Sequence, residues 1–233
     1  MISDLPRSLG RAEAVLVGRV RALGANGMIS AIRKTPRTEP LCLTFTGLEG
    51  DEHGHPQVHG GEEMALHHYA FDHYAHWRKR FPRAAPLNAP GAFGENLSTT
   101  GITERTLCVG DILKIGKATV QVSQGRQPCY VLNAWFEAPD AAREIQETRQ
   151  TGWYYRVLEE GDIAPGDSIE LRERLNPNWT IDEVQRILYA DTLNRDALKL
   201  LRDLPALTER WKSIFDARLK TGKVEDWTSR LGG

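Results

Sequence analysis

The hydrophobic pattern of the chain changes period near residue 175. Ahead of that point, short apolar or alternating runs recur at residues 15–20, 41–45, 107–109, 112–115, 118–122, 153–158 and 168–171. Runs of this length, rich in Val and Ile and bounded by turn residues, predict strands. Gly110-Asp111 and Gly116-Lys117 leave only tight turns between three of them. Two stretches follow a helical period instead. Residues 71–81 place Tyr74, Trp77 and Phe81 on one face and stop at Pro82; residues 140–150 predict a helix ended by Gly152. Residues 93–97 hold too much glycine for a regular helix. A closed or half-closed barrel is the economical way to hide so many strand edges.

Beyond residue 175 the pattern is helical. Thr180 and Glu183 have capping-box spacing ahead of Val184, Ile187 and Leu188. Asn194 suits the cap of a second helix with Leu198 and Leu201. Pro205 introduces a third, with Leu207, Trp211, Ile214 and Phe215 on one face. The expected fold class is therefore α+β, mainly β: a barrel-like domain over residues 1–174 and a three-helix appendage with its tail over residues 175–233. Residues 228–233 are expected to fray.

Charge removes one reading of the three helices. The formal net charge is −1, and the helical segment itself is nearly balanced. It lacks the basic footprint of a helix-turn-helix reader, so no nucleic-acid polymer is expected as partner. No apolar run has the length of a membrane span. The first residues lack the basic start and apolar core of a signal peptide. The three cysteines, Cys42, Cys108 and Cys129, are too few and too odd in number for a disulfide framework, and suit a reducing cytoplasm.

Cys129 is the cysteine with chemistry around it. The strand at 118–122 runs into Ser123-Gln124-Gly125-Arg126-Gln127-Pro128-Cys129, and Pro128 suits the first position of a new helix. A thiol in a helix's first turn, near a cation, gains thiolate character, which makes it a nucleophile or soft metal ligand. Equally, a lone cysteine can be a small buried hydrophobe, the expectation for Cys42 and Cys108. The seven histidines crowd between His53 and His76. The spacing of His53, His55 and His59 matches no familiar zinc motif, and His73 and His76 read as surface residues. His59-Gly60-Gly61 is sharper, since two glycines let backbone N–H groups approach an anion. Glu95 and Asn96 either orient a polar ligand or satisfy their own loop's amides. Ser30, Lys34 and Arg126 form a modest set of phosphate contacts.

Taken in order, these stretches resemble the MOSC domain proteins, specifically the YiiM-like branch. The resemblance rests on Ser30-Ala31-Ile32-x-Lys34-x-Pro36, Gly47-Leu48-x-Gly50-Asp51, His59-Gly60-Gly61, Ala65-Leu66-His67-His68-Tyr69, residues 91–97, Val109-Gly110-Asp111 and Arg126-Gln127-Pro128-Cys129. The helical segment from about Thr180 is similar to that branch's small C-terminal domain. Gly125 departs from the family's pattern, which has proline there.

The resemblance implies a β-barrel-like MOSC fold and binding of molybdenum cofactor, with Cys129 as the metal ligand. It implies reduction of N-hydroxylated compounds such as 6-hydroxylaminopurine. On that basis Cys129 and His59 are the expected catalytic residues, His59 as proton donor. Ser30, Lys34, Asp51, Gly60, Gly61, Asn96, Ser123 and Arg126 are expected to hold the cofactor. An external electron-donor protein is needed, because the chain has no flavin, haem or iron–sulfur motif. The alternative is a non-catalytic sulfur or cofactor carrier acting through Cys129. A homodimer stays open, and His53 and His55 inherit no role.

Overall fold

The computed structural model describes residues 6–24, 27–54 and 60–232. One curled sheet of nine strands carries the larger part of them. Its order is β1 (Arg7–Arg11), β14 (Ser168–Glu173), β10 (Ile112–Ile115), β11 (Ala118–Gly125), β12 (Trp153–Glu159), β8 (Leu66–Ala70), β9 (Leu97–Thr99), β2 (Ala14–Gly18) and β5 (Lys34–Arg37). Neighbours are antiparallel except β8 and β9, which run parallel. A three-stranded sheet of β13 (Gly161–Ile163), β6 (Leu41–Thr44) and β7 (Gly47–Leu48) and the pair β3 (Arg21–Leu23) and β4 (Met28–Ser30) complete the half-barrel.

Alternation explains the hairpin at its centre. Leu113, Ile115, Ala118, Val120 and Val122 all point into one buried cluster with Leu43, Leu66, Trp153 and Ile169. Each fully buried Val or Leu contributes about 1.5–3 kcal/mol, so a register slip in this hairpin would be costly. The predicted strand at 107–109 does not form. Cys108 makes an isolated bridge to Thr180 instead, because its amide is taken by the Asp111 carboxylate at 2.9 Å. Cys108 is buried as expected, whereas Cys42 is half-buried.

A second cluster, mostly aromatic, lies under the cysteine loop. It joins α1 (Tyr74–Arg80), the loop at Phe93, and α2 (Val131–Phe136). Tyr69 and Phe93 stack with centroids 3.8 Å apart, and Phe136 meets Phe93 edge-on. α3 (Ala141–Thr148) packs against α2 and ends at Arg149, whose φ of 60° gives the left-handed cap.

The C-terminal helices are α4 (Ile181–Tyr189), α5 (Arg195–Arg202) and α6 (Glu209–Thr221). The Thr180 and Asn194 side chains cap the first two, as their sequence positions suggest. Glu183 does not close the capping box; Arg186 holds its carboxylate instead. The third helix starts later than Pro205 suggests, at a cap formed by Thr208. Val184, Ile187, Leu198, Leu201, Trp211 and Phe215 form their shared core.

The fraying expected of the last residues is overturned. Residues Thr228–Leu231 form a short helix, α7, and Leu231 is buried. Tyr130 N–H donates to the Arg230 carbonyl at 2.8 Å, and Asn133 Nδ2 donates to the Leu231 carbonyl at 2.8 Å. The tail is held because it returns to the cysteine loop.

Candidate cofactor and substrate site

Strand β11 ends at Gly125 and the chain crosses the open end of the half-barrel as Arg126–Tyr130 before α2 begins. Cys129 thus precedes the helix cap, Tyr130, rather than sitting in the first turn, and α2 spans only six residues. Its setting comes from tertiary contacts instead. Its side chain is buried yet borders two cavities, which also share Met64, Val131 and Tyr154.

The first cavity is enclosed by residues far apart in sequence, among them Ser30, Lys34, His53, His67, Arg126 and Tyr154. Behind it lies a buried ion pair. Lys34 Nζ donates to Asp51 Oδ1 and Oδ2 at 2.5 and 2.7 Å, with both side chains almost fully buried. Asp51 also accepts from Gly18 N–H at 2.6 Å and Asn96 Nδ2 at 2.8 Å. Asn96 Oδ1 takes the His67 amide at 3.2 Å. Asp51 and Asn96 therefore brace the wall, and only Asn96 and Lys34 reach the cavity surface.

Other expected residues separate. Ser30 lines the cavity while its Oγ accepts the Ile32 amide at 3.1 Å. Gly60 also lines it. At φ +119°, a Cβ there would stand 2.9 Å from the His53 ring, so Gly60 is what lets that ring close in. Gly61 is not a lining residue; it caps a 3-10 turn at Glu62–Met64 and faces solvent. Ser123 is corrected too. Its hydroxyl donates to the Glu63 and Tyr154 carbonyls at 2.6 and 3.1 Å, tying β11 to the 3-10 turn and to β12 rather than lining the cavity. Glu95 satisfies its own loop: its carboxylate accepts from Gly91 and Phe93 N–H and from the Tyr74 hydroxyl. His55 and His59 lie outside the described residues. Among the described residues no three His, Cys, Asp or Glu side chains gather as a metal site.

His67 and Tyr154 are functional candidates that the sequence did not single out, and His53, which the sequence left without a role, joins them on the cavity wall. His67 lies within a quoted motif, but its direction depends on β8. Burial and the Arg126 cation hold the His67 ring neutral, far below the usual imidazole range. Burial likewise lowers His53 and raises the Tyr154 phenol, which keeps its proton. Tyr154 packs against His67 with centroids 4.9 Å apart.

Arg126 carries the fit test for a cofactor. It is 7% exposed, and its Nη1 is buried with no hydrogen-bond partner among the described residues. An unpaired guanidinium nitrogen in such a place is expensive, and an anionic oxygen would satisfy it. A cysteine sulfur on the same wall supplies a soft ligand. The residues present fit a phosphate-bearing cofactor with a thiophilic metal.

The relatives agree with this construction. Residues 55–170 match the MOSC domain model, and residues 179–222 match the YiiM-like, 3-alpha helix domain model. The chain is 39% identical to Protein YiiM of Escherichia coli (strain K12) over 94% of its own length and 97% of that protein. The chain belongs to the YiiM-like MOSC family. The crystal structure of YiiM from Escherichia coli superposes with a TM-score of 0.81 at 34% identity, covering 96% of this chain and 99% of that one. A protein of Gibberella moniliformis named Reductase is 39% identical over 89% of this chain, which spans only 37% of that longer protein. The two family models follow one another along the chain, the MOSC match first and the YiiM-like helical match after it. Arg210 of α6, within the helical match, and Arg230 of α7, beyond it, line the second cavity that Cys129 borders. No local sequence signal marks either arginine, since both act across the junction with the barrel.

Proposed function

We propose that this MOSC protein is a molybdenum-cofactor-dependent reductase of N-hydroxylated compounds, with 6-hydroxylaminopurine as a model substrate. The observation that carries the reading is that Cys129 lines two cavities, one of which is also lined by Arg126 with its unpaired Nη1.

In this reading Cys129 holds the metal through sulfur, and Arg126, Ser30 and Lys34 hold the pterin and its phosphate. The bound group supplies two-electron chemistry at a thiophilic metal. The protein does the rest. The Lys34–Asp51–Asn96 network fixes the cavity wall. Tyr154, holding its proton, acts as a hydrogen-bond donor next to the sulfur. His67, neutral and buried, adds no charge of its own. His59 is retained as proton donor, and Gly60 shapes the first cavity.

Reduction of R–NH–OH breaks the N–O bond, consumes two electrons and two protons, and yields R–NH2 and water. An external electron-donor protein delivers the electrons. In the fungal relative named Reductase the matching stretch is part of a longer chain.

The test is purification from a host that makes the cofactor, with bound molybdenum and hydroxylaminopurine reduction measured for the wild type and Cys129→Ala. Loss of both in the variant is expected. Metal held without reduction under any donor would turn the reading to the carrier. Metal and activity untouched by the substitution would sink it.

A further inference from the structure

The second cavity that Cys129 borders has a volume of about 380 Å³, within the size range of small-molecule sites. Its charges are already answered. Burial opposes the Arg230 cation, but Tyr189, Cys129 and Glu225 favour it, and the Pro128 carbonyl and the Gln146 side chain accept its hydrogen bonds. Arg210 is likewise engaged. What the cavity offers a ligand is therefore its neutral wall, in which Met64, Val131 and Tyr130 are apolar or flat.

Gln124 is the neutral polar group with a bond left to make. It stands opposite Tyr154 in the β11–β12 register, so the two side chains share a face, and both line the cavity. Gln124 is only 3% exposed. The Thr208 hydroxyl, at the cap of α6, accepts from Trp211 N–H and donates to Gln124 Oε1 at 2.6 Å. That bond decides which end of the amide is which: the oxygen meets Thr208, and the N–H2 group turns the other way. The nitrogen has no hydrogen-bond partner among the described residues, yet it is not buried out of reach, which leaves it open to the cavity. A donor held unpaired in so enclosed a place costs free energy, and an acceptor on a ligand recovers it.

Resting on the reading of Cys129 as cofactor ligand, we infer that Gln124 is a specificity-determining residue: it selects an uncharged, flat N-hydroxylated ring that carries an acceptor nitrogen or carbonyl. The ring lies against Met64 and Val131 and turns that acceptor to the Gln124 amide, with its N–OH toward Cys129. Thr208 is the positioning residue, through which the helical domain sets the direction of a barrel side chain. A ring of the same shape without the acceptor leaves the amide unpaired and is rejected.

The test is calorimetry on the full-length, cofactor-free protein at mildly alkaline pH with benzimidazole, indole and benzimidazole-5-carboxylate. The first two match in size and ring N–H and differ in one acceptor nitrogen. Benzimidazole binds about tenfold more tightly than indole, and the added carboxylate gains less than about twofold. In Gln124→Met the gap between benzimidazole and indole closes to about twofold while indole binding is kept. Thr208→Val narrows it as well and Thr208→Ser restores it, because the hydroxyl orients the amide. Benzimidazole and indole bound equally by the wild type, a comparison that needs no variant to fold, overturns the inference. So does the absence of any binding, a gap that persists in Gln124→Met, or a gain of about tenfold from the carboxylate. Because no molybdenum is needed, the two readings fail separately. Acceptor selectivity without reduction by the loaded protein defeats only the cofactor reading, and reduction without acceptor selectivity defeats only the role of Gln124.

Discussion

The amide of Tyr130 donates to the carbonyl of Arg230 at 2.8 Å, so the residue after the candidate metal ligand is pinned by the last helix of the chain. The Arg230 side chain adds a bond to the Pro128 carbonyl, and Asn133 closes on Leu231. Removing residues 226–233 deletes at least three hydrogen bonds on the loop, each worth about 0.5–1.5 kcal/mol. Alkylation of Cys129 by iodoacetamide, followed by peptide mapping, should accelerate about tenfold or more. Cys108, buried elsewhere, serves as the internal control. An unchanged rate would show that the loop holds its shape without the tail.

Lys34 and Asp51 give a second prediction. Their side chains are 5% and 2% exposed, and Asp51 is the shared acceptor of Lys34, Asn96 and the Gly18 amide. Asp51→Asn leaves a buried ammonium without its carboxylate, which costs about 3–5 kcal/mol. Urea unfolding should register that loss. Lys34→Met combined with Asp51→Leu should recover part of it, since no lone charge is then left inside. A loss under about 1 kcal/mol for the single change would mean that water reaches the pair.

What the sequence revealed was local. Thr180 and Asn194 cap their helices from neighbouring positions, and the β10–β11 hairpin follows from alternation between two Gly-containing turns. Strand β8 escaped because Leu66–Ala70 is buried on both faces, which erases alternation and leaves its histidines looking polar. Ser123 and Arg126 look equivalent in sequence, yet one faces its neighbours' carbonyls and the other the cavity. A register shift between Val122 and Gln124 decides which side each takes. The second cavity bordered by Cys129 was not legible at all. Arg210 and Arg230 reach it only through the docking of the C-terminal helices onto the barrel, a long-range event without a local pattern.

His68 makes a pH prediction with a definite sign. Its ring is fully buried, Nδ1 meeting the Tyr155 hydroxyl at 2.9 Å and Nε2 meeting Thr99 Oγ1 at 2.8 Å. Burial pushes its pKa down to about 3 from an ordinary 6.5. The unfolded chain therefore binds a proton between those values while the folded one does not. Stability from this group is complete above pH 6.5 and is lost as pH falls toward 3, by about 1.4 kcal/mol per pH unit. Urea midpoints measured at several pH values should fall less steeply in His68→Gln than in the wild type. Parallel curves would show that another group carries the acid sensitivity.

Gly125 stands where the resemblance leads to an expected proline, and the fold supplies a physical reason for a residue without a side chain. Its φ is not positive, so backbone freedom is not the point; space is. A Cβ there would lie 2.5 Å from Gln185 Nε2 and 3.1 Å from Trp211, side chains of α4 and α6. Gln185 cannot swing away freely, because it is buried and donates to Thr151 Oγ1 at 2.6 Å. Gly125 is thus the seat on which the helical domain rests against β11. Gly125→Ala should cost about 1–3 kcal/mol, as overpacking of a filled interior does. Gln185→Ala should relieve much of that cost in the double variant, so the two changes should be strongly non-additive. Simple additivity in urea unfolding would mean that the helices do not seat on Gly125.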